Sequence, residues 1–286
     1  MCHRSAIWVA AAAAALLTTT AFAQANDQPG YPDLSGQWTR MPIPGIVGNP
    51  SFDPTKPAGR GQQAPLTPEY QAIFDANLED LAGGGGGDNR SWVCMTPGMP
   101  MVMQVYEPME IVITPDTTHI MIQANGVHRR IYTDGRDWPE FVEPAFLGYS
   151  IGKWIDEDRD GRYDVLEVET RYMKGPRVLD ATGIPLHRDN QSVVKERIYV
   201  DTANHNVLHD EITLHDRALT RAWTVLKNYQ RNPSRQPVWY EFECTENNPH
   251  ILIGKEAYML SSDGLLMPGK KDQPPPDLRY FNKSQK

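Results

Sequence analysis

The chain has 286 residues and a net charge of −8, long enough for one large β domain or two smaller ones. With no Lys/Arg stripe to neutralise phosphates, that balance excludes nucleic acid as the natural partner and leaves a small molecule or a protein.

The first 23 residues read as a secretory leader. His3 and Arg4 give a basic start, residues 6–17 form an apolar run, and Ala21-Phe-Ala23 supplies a small-residue cleavage site before Gln24. A periplasmic or extracellular address is therefore expected. No later stretch reaches the roughly 18 uninterrupted apolar residues of a membrane helix, so no span is expected once the leader is cut. Cys2 leaves with the leader, and the remaining Cys94 and Cys244 are an even pair in an oxidising compartment. A disulfide between them would close a loop of about 150 residues and stabilise the fold by a few kcal/mol. A catalytic thiol lacks a Cys-His signature around either residue.

Residues 24–92 read as an N-terminal arm with one short helix. The arm is rich in Pro, Gly, Asn and Gln, except for Asp33-Leu-Ser-Gly-Gln-Trp38, where Leu34 and Trp38 are expected to dock a first strand. The helix begins with Thr67 as N-cap and Pro68 at its first position, places Tyr70, Ile73, Phe74 and Leu78 on one face, and ends in the glycines 83–87.

Residues 93–252 carry short runs rich in Val, Ile, Tyr and Thr between turn residues. Nine strands are predicted, at 109–114, 119–124, 128–132, 150–155, 165–172, 193–200, 207–215, 222–229 and 238–244. Such spacing, without alternating helices or a Gly-rich βα turn, specifies a mainly β, antiparallel barrel or sandwich and disfavours a dinucleotide fold. The Pro- and Lys-rich tail, 253–286, is expected to trail over the surface.

Within this frame, Asp156-Glu-Asp158-Arg-Asp160-Gly161-Arg162-Tyr-Asp164-Val-Leu-Glu167 matches the calcium-loop pattern D-x-[DN]-x-[DN]-G-x5-E at every position. A hard cation taking six to eight oxygens would draw on Asp156, Asp158, Asp160 and Asp164, the carbonyl of Arg162 and both oxygens of Glu167, with Gly161 making the turn. The flanks Ser150-Ile-Gly-Lys-Trp-Ile and Val165-Leu-Glu-Val-Glu-Thr are strand-like, so the loop is placed at a hairpin tip and its Ca2+ is read as structural. An ordinary acidic hairpin turn is the alternative, though six crowded carboxylates offset only by Arg159 and Arg162 repel one another.

Acid–base groups come from period two. On 207–215 one face carries His209, Glu211 and Thr213, and Leu208, Asp210, Ile212 and Leu214 alternate with it; either face can be the core. Glu196 sits between apolar neighbours of its own face and needs a partner, which Arg129 or Arg130 supplies, as a structural ion pair or an anion-orienting group. His187 lies on an inter-strand loop, where it is either idle or pairs with His128, His209 or Glu211. No serine-hydrolase elbow, zinc motif or organic-cofactor signature is present. Met95, Met99, Met101 and Met103 offer thioethers for copper, or soft filling at a barrel mouth.

The segments Asp33-Leu-Ser-Gly-Gln-Trp38, Leu66-Thr-Pro-Glu-Tyr70, Cys94-Met-Thr-Pro-Gly-Met-Pro100, His128-Arg-Arg-Ile-Tyr-Thr-Asp-Gly-Arg136, Ser150-Ile-Gly-Lys-Trp154 and Glu243-Cys-Thr-Glu-Asn-Asn248 resemble a widespread family of secreted bacterial proteins of unknown function. The resemblance implies a lipocalin-like β-barrel and carries no catalytic residue with it. Many members have His where this chain has Tyr149, and a short hairpin where it has the acidic loop. The expectation is a calcium-binding barrel acting on a hydrophobic, aromatic or steroid-like small molecule by acid–base chemistry, as lyase, hydratase or isomerase, with His128, His187, His209, Glu196 and Glu211 as the acid–base set. The alternatives are a binding protein without turnover and a protein that meets a partner through its arm and tail.

Overall fold

The computed structural model describes residues 29–42, 63–104, 106–175, 178–246, 248–254 and 256–276. The leader, residues 43–62 of the arm and 277–286 of the tail lie outside the described residues.

Nine strands close into one barrel: β1 (Gln37–Arg40), β2 (Met109–Ile113), β3 (Thr117–Ile122), β4 (Val127–Tyr132), β5 (Tyr149–Ile155), β6 (Val165–Arg171), β7 (Val193–Val200), β8 (Val207–His215) and β9 (Trp223–Arg231). Period-two burial drives the closure. Along β8, Leu208, Asp210, Ile212 and Leu214 are buried, and His209, Glu211 and Thr213 are only half-covered. β1 seals the barrel through Trp38, paired with Met109 of β2 and Arg231 of β9, its ring buried and its indole N–H donated to the Leu34 carbonyl at 3.0 Å. The docking of Leu34 and Trp38 is thus as the sequence requires.

Two features of the sheet depart from expectation. β4 and β5 run parallel, through Ile131↔Ser150 and Tyr132↔Ile151, because residues 133–148 form the long crossover that parallel neighbours need. Residues 238–244 form no strand. The β1–β9 pairing already closes the sheet and leaves no free edge, and the Val238 and Tyr240 carbonyls instead accept the side-chain amides of Gln37 (3.3 Å) and Gln123 (2.6 Å).

The described part of the tail carries strands that its composition does not suggest. β10 (His250–Ile253), β11 (Glu256–Leu260) and β12 (Leu266–Pro268) form a separate antiparallel sheet. β11 buries Ala257 and Tyr258, and Lys270 reaches Asp80 of α1 at 2.5 Å. Helix α1 (Pro68–Ala82) starts as predicted, with the Thr67 hydroxyl accepting the Tyr70 N–H, and stops at Gly83. Its inner side is Tyr70, Phe74, Asn77 and Leu81, and Ile73 and Leu78 are exposed. Cys94 and Cys244 are joined, with Cα atoms 5.4 Å apart. Met99, Val102 and Met103 enter the barrel core alongside Leu179, Ile184 and Leu186, so two of the four methionines fill the barrel interior. Among the described residues no helix is long and apolar enough to cross a membrane.

Candidate functional site

β5 and β6 pair in unbroken register from Tyr149↔Arg171 to Ile155↔Val165 and deliver the acidic loop at their tip. The Asp164 N–H donates to the Ile155 carbonyl at 2.8 Å, closing the hairpin, and Gly161 sits at φ +90, where a side chain would be strained. Asp156 accepts the N–H groups of Asp160 (3.2 Å) and Gly161 (3.0 Å), and Asp164 accepts that of Glu157 (2.8 Å). Oxygens of Asp156, Asp158 and Asp164 lie within 4.8 Å of one another. Among the described residues no side-chain cation pairs with these three.

The other predicted ligands stand apart from this triad. Asp160 accepts the Arg162 N–H at 2.8 Å. Glu167 is opposite Arg197 in the β6–β7 register and pairs with it at 2.8 Å, and the same guanidinium holds Glu157; cross-strand neighbours of opposite charge meet in this way. The loop docks on the N-terminal segment, with Tyr31 packed 5.3 Å from Trp154 and 4.9 Å from Tyr163.

The barrel interior carries a second concentration of charge. Arg129 and Glu196 form a doubly bonded pair, one bond at 2.8 Å, and both side chains are almost completely buried. Thr170 accepts from the same guanidinium at 3.1 Å, and Ser150 and Thr170 share a 2.8 Å bond. This is the structural pair expected for Glu196. Its partner is Arg129, because the pleat turns Arg130 outward. One layer on, Asp210 of β8 is opposite Lys227 of β9, and both are buried with Arg40 and Asp180. Burial first, and then Glu196, pushes the Asp210 carboxyl well above its usual range. Burial, and then Arg40, pushes the Lys227 amine down. Both Asp210 oxygens and the Arg129 Nε lack a hydrogen-bond partner.

Sequence reasoning found Arg129 and Glu196 and missed the rest of this layer. The signal was present: Asp210 shares a strand face with Leu208, Ile212 and Leu214, and Lys227 with Trp223, Val225 and Tyr229. A charge on an apolar face is buried and must be answered.

The predicted acid–base residues are not brought together. His128 and Arg130 face outward on β4. His209 faces outward on β8, its Nδ1 2.7 Å from the Asn228 Oδ1 and its Nε2 2.9 Å from Asp201. Glu211 accepts the Tyr199 hydroxyl at 3.1 Å. His187 lies in a loop with its Nδ1 3.1 Å from Asp189 and its N–H donated to Asp216 at 2.9 Å. Glu196 is inside the barrel. The set does not converge because, of the two faces that period two left open on β8, the apolar one with Leu208, Ile212 and Leu214 fills the lumen and turns His209 and Glu211 outward.

A cleft of about 500 Å3 opens on the outer face where β4 and β5 meet, lined by Thr96, His128, Arg130, Tyr132, Phe146 and Tyr149. The crossover 133–148 builds one wall. A Cβ on Gly98 would lie 2.4 Å from the Phe146 carbonyl oxygen, so only glycine lets the segment after Cys94 approach this closely. Aromatic rings gather here: Tyr132 and Tyr149 at 5.0 Å, Trp138 6.1 Å from Tyr149, Arg136 3.8 Å over the Tyr132 ring and Arg171 4.3 Å over Trp138. Arg136 also donates to the Tyr149 hydroxyl at 3.2 Å. Tyr149, the position at which the resemblance implies His, is therefore a wall of this cleft. Sequence reasoning did not see it, because the parallel seam that creates it depends on how the crossover folds back.

Compared with known protein families and with curated proteins, the chain matches no family model and no sequence.

Proposed function

We propose that this protein is a secreted small-molecule-binding β-barrel that takes a hydrophobic, aromatic or steroid-like ligand in the β4–β5 cleft, with Ca2+ held as a structural ion in the β5–β6 loop. The carrying observation is the cleft itself: rings of Tyr132, Phe146 and Tyr149 offer an apolar, stackable surface, and Arg130 and His128 offer charge and hydrogen bonds at its edge. A concave, mostly apolar site with a few convergent polar groups is what a small ligand requires. The guanidinium groups favour a ligand bearing an acidic substituent. The lumen is filled by the protein's own side chains, which supports a site on the outside.

Binding is favoured over turnover by a lyase, hydratase or isomerase, because of the expected acid–base set only His128 lines the cleft, next to Arg130, the group expected to orient an anion. The loop supports Ca2+ through three carboxylates converging without a protein cation to answer them.

The cleft is tested with 8-anilinonaphthalene-1-sulfonate, an aromatic anion whose emission rises in apolar surroundings. Wild type is expected to bind it at one site, with about tenfold loss in Arg130→Ala, an effect of one charged contact, and a comparable loss in Tyr149→Ala. Equal binding by all three proteins contradicts the assignment.

A further inference from the structure

We propose a transition-metal site on the outer face of β3 and β4, with His119 and His128 as its ligands and Met121, opposite His128 in the register, as a neighbouring thioether. The Nδ1 of His119 and the Nε2 of His128 are 2.9 Å apart, with ring centroids at 5.0 Å. Two imidazole nitrogens bound at tetrahedral Zn2+ with bonds of roughly 2.0–2.1 Å stand about 3.3 Å apart. Replacing the shared proton by a metal ion therefore needs a shift of only a few tenths of an ångström.

The scaffold holds this arrangement on strands rather than on loops. In the β2–β3–β4 register Glu110, Met121 and His128 form one cross-strand row, and Val112, His119 and Arg130 the next. The outer face therefore presents two imidazoles and a thioether within two adjacent rows. His128 is exposed, and His119 and Met121 are half-covered, so an ion has access. Arg130, opposite His119 in the register, is the positive charge that a cation here must tolerate.

The donor set selects the metal class. Imidazole suits Zn2+, Cu2+ and Ni2+, a thioether adds preference for Cu+, and hard oxygen-seeking Ca2+ and Mg2+ are disfavoured. Two histidines leave coordination positions open, and because His128 also lines the β4–β5 cleft, those positions are within reach of whatever the cleft holds. The metal site does not rest on that ligand, and it is separate from the acidic hairpin loop.

The test is calorimetric titration of the oxidised, tag-free protein with ZnCl2 and with CuSO4. Wild type is expected to take one equivalent of either ion. His119→Ala and His128→Ala lose that equivalent, and Asp158→Ala in the acidic loop and His209→Ala keep it. Met121→Leu retains Zn2+ and weakens Cu+ measured under reducing conditions that leave the disulfide intact. His128→Gln preserves shape and polarity and substitutes for the alanine variant should that fold poorly. No uptake by wild type, or uptake that survives both histidine substitutions, overturns the site.

Discussion

The barrel interior and the β5–β6 hairpin tip both gather carboxylates, and they differ in where the answering charge comes from. Inside, Glu196 is met by Arg129 on another strand, and Asp210 faces Lys227 across one register position. At the tip, Asp156, Asp158 and Asp164 converge and accept backbone N–H groups, and among the described residues no side-chain cation pairs with them. A lumen is closed to counter-ions, so the chain must carry both signs or keep a group neutral. A hairpin tip is open, so the chain can leave the positive charge to solvent. The first arrangement is complete within the fold, and the second is open to ions from solvent.

Breaking the interior pair is expected to have the largest effect. Glu196→Ala leaves Arg129 buried without its carboxylate and costs about 3–5 kcal/mol, read as a lower urea midpoint. A cost under about 1 kcal/mol would mean that water reaches Arg129 and the pair is not sealed.

Asp210→Asn sharpens the contrast through pH. The folded-state pKa of Asp210 is raised, with burial as the main cause. The stability it contributes in its protonated form is complete below the unfolded value near pH 4 and is lost as pH rises toward the folded value. Asparagine does not ionise, so the variant should gain on wild type as pH increases, by up to about 1.4 kcal/mol per unit. Urea denaturation at several pH values between 4.5 and 7.5, about the range where both proteins fold, measures the difference; a flat difference would contradict a protonated Asp210.

Arg197→Ala is the mildest change. Its ion pairs with Glu157 and Glu167 are solvent-exposed, so stability should move by less than about 1 kcal/mol. On the calcium reading this variant also frees Glu167 to turn toward the loop, and calcium affinity should rise; a fall would show that Arg197 holds the loop in its binding shape.

The same contrast explains what could be read in advance. β7 and β8 run over the predicted residues because their alternation is clean, and the loop is at a hairpin tip because strand-like flanks enclose it. The β5–β6 loop could be placed, yet the engagement of Glu167 with Arg197 could not, since it depends on cross-strand register. Residues 238–244 have the composition of a strand but no edge to join, and side-chain amides of Gln37 and Gln123 take two of their carbonyls. Asp210 and Lys227 each stand as a single charge on an apolar strand face, and that they meet depends on the β8–β9 register. The cleft required knowing that β4 and β5 are parallel.

The most direct test of calcium in this account is the melting temperature of the oxidised protein in chelator and across a calcium titration, with Mg2+ as control. The account predicts a calcium-specific rise, equivalent to about 2.7 kcal/mol at a hundred times the dissociation constant, that disappears in Asp158→Ala. An unchanged melting temperature, or an equal response to Mg2+, would contradict it and return the loop to an acidic hairpin turn.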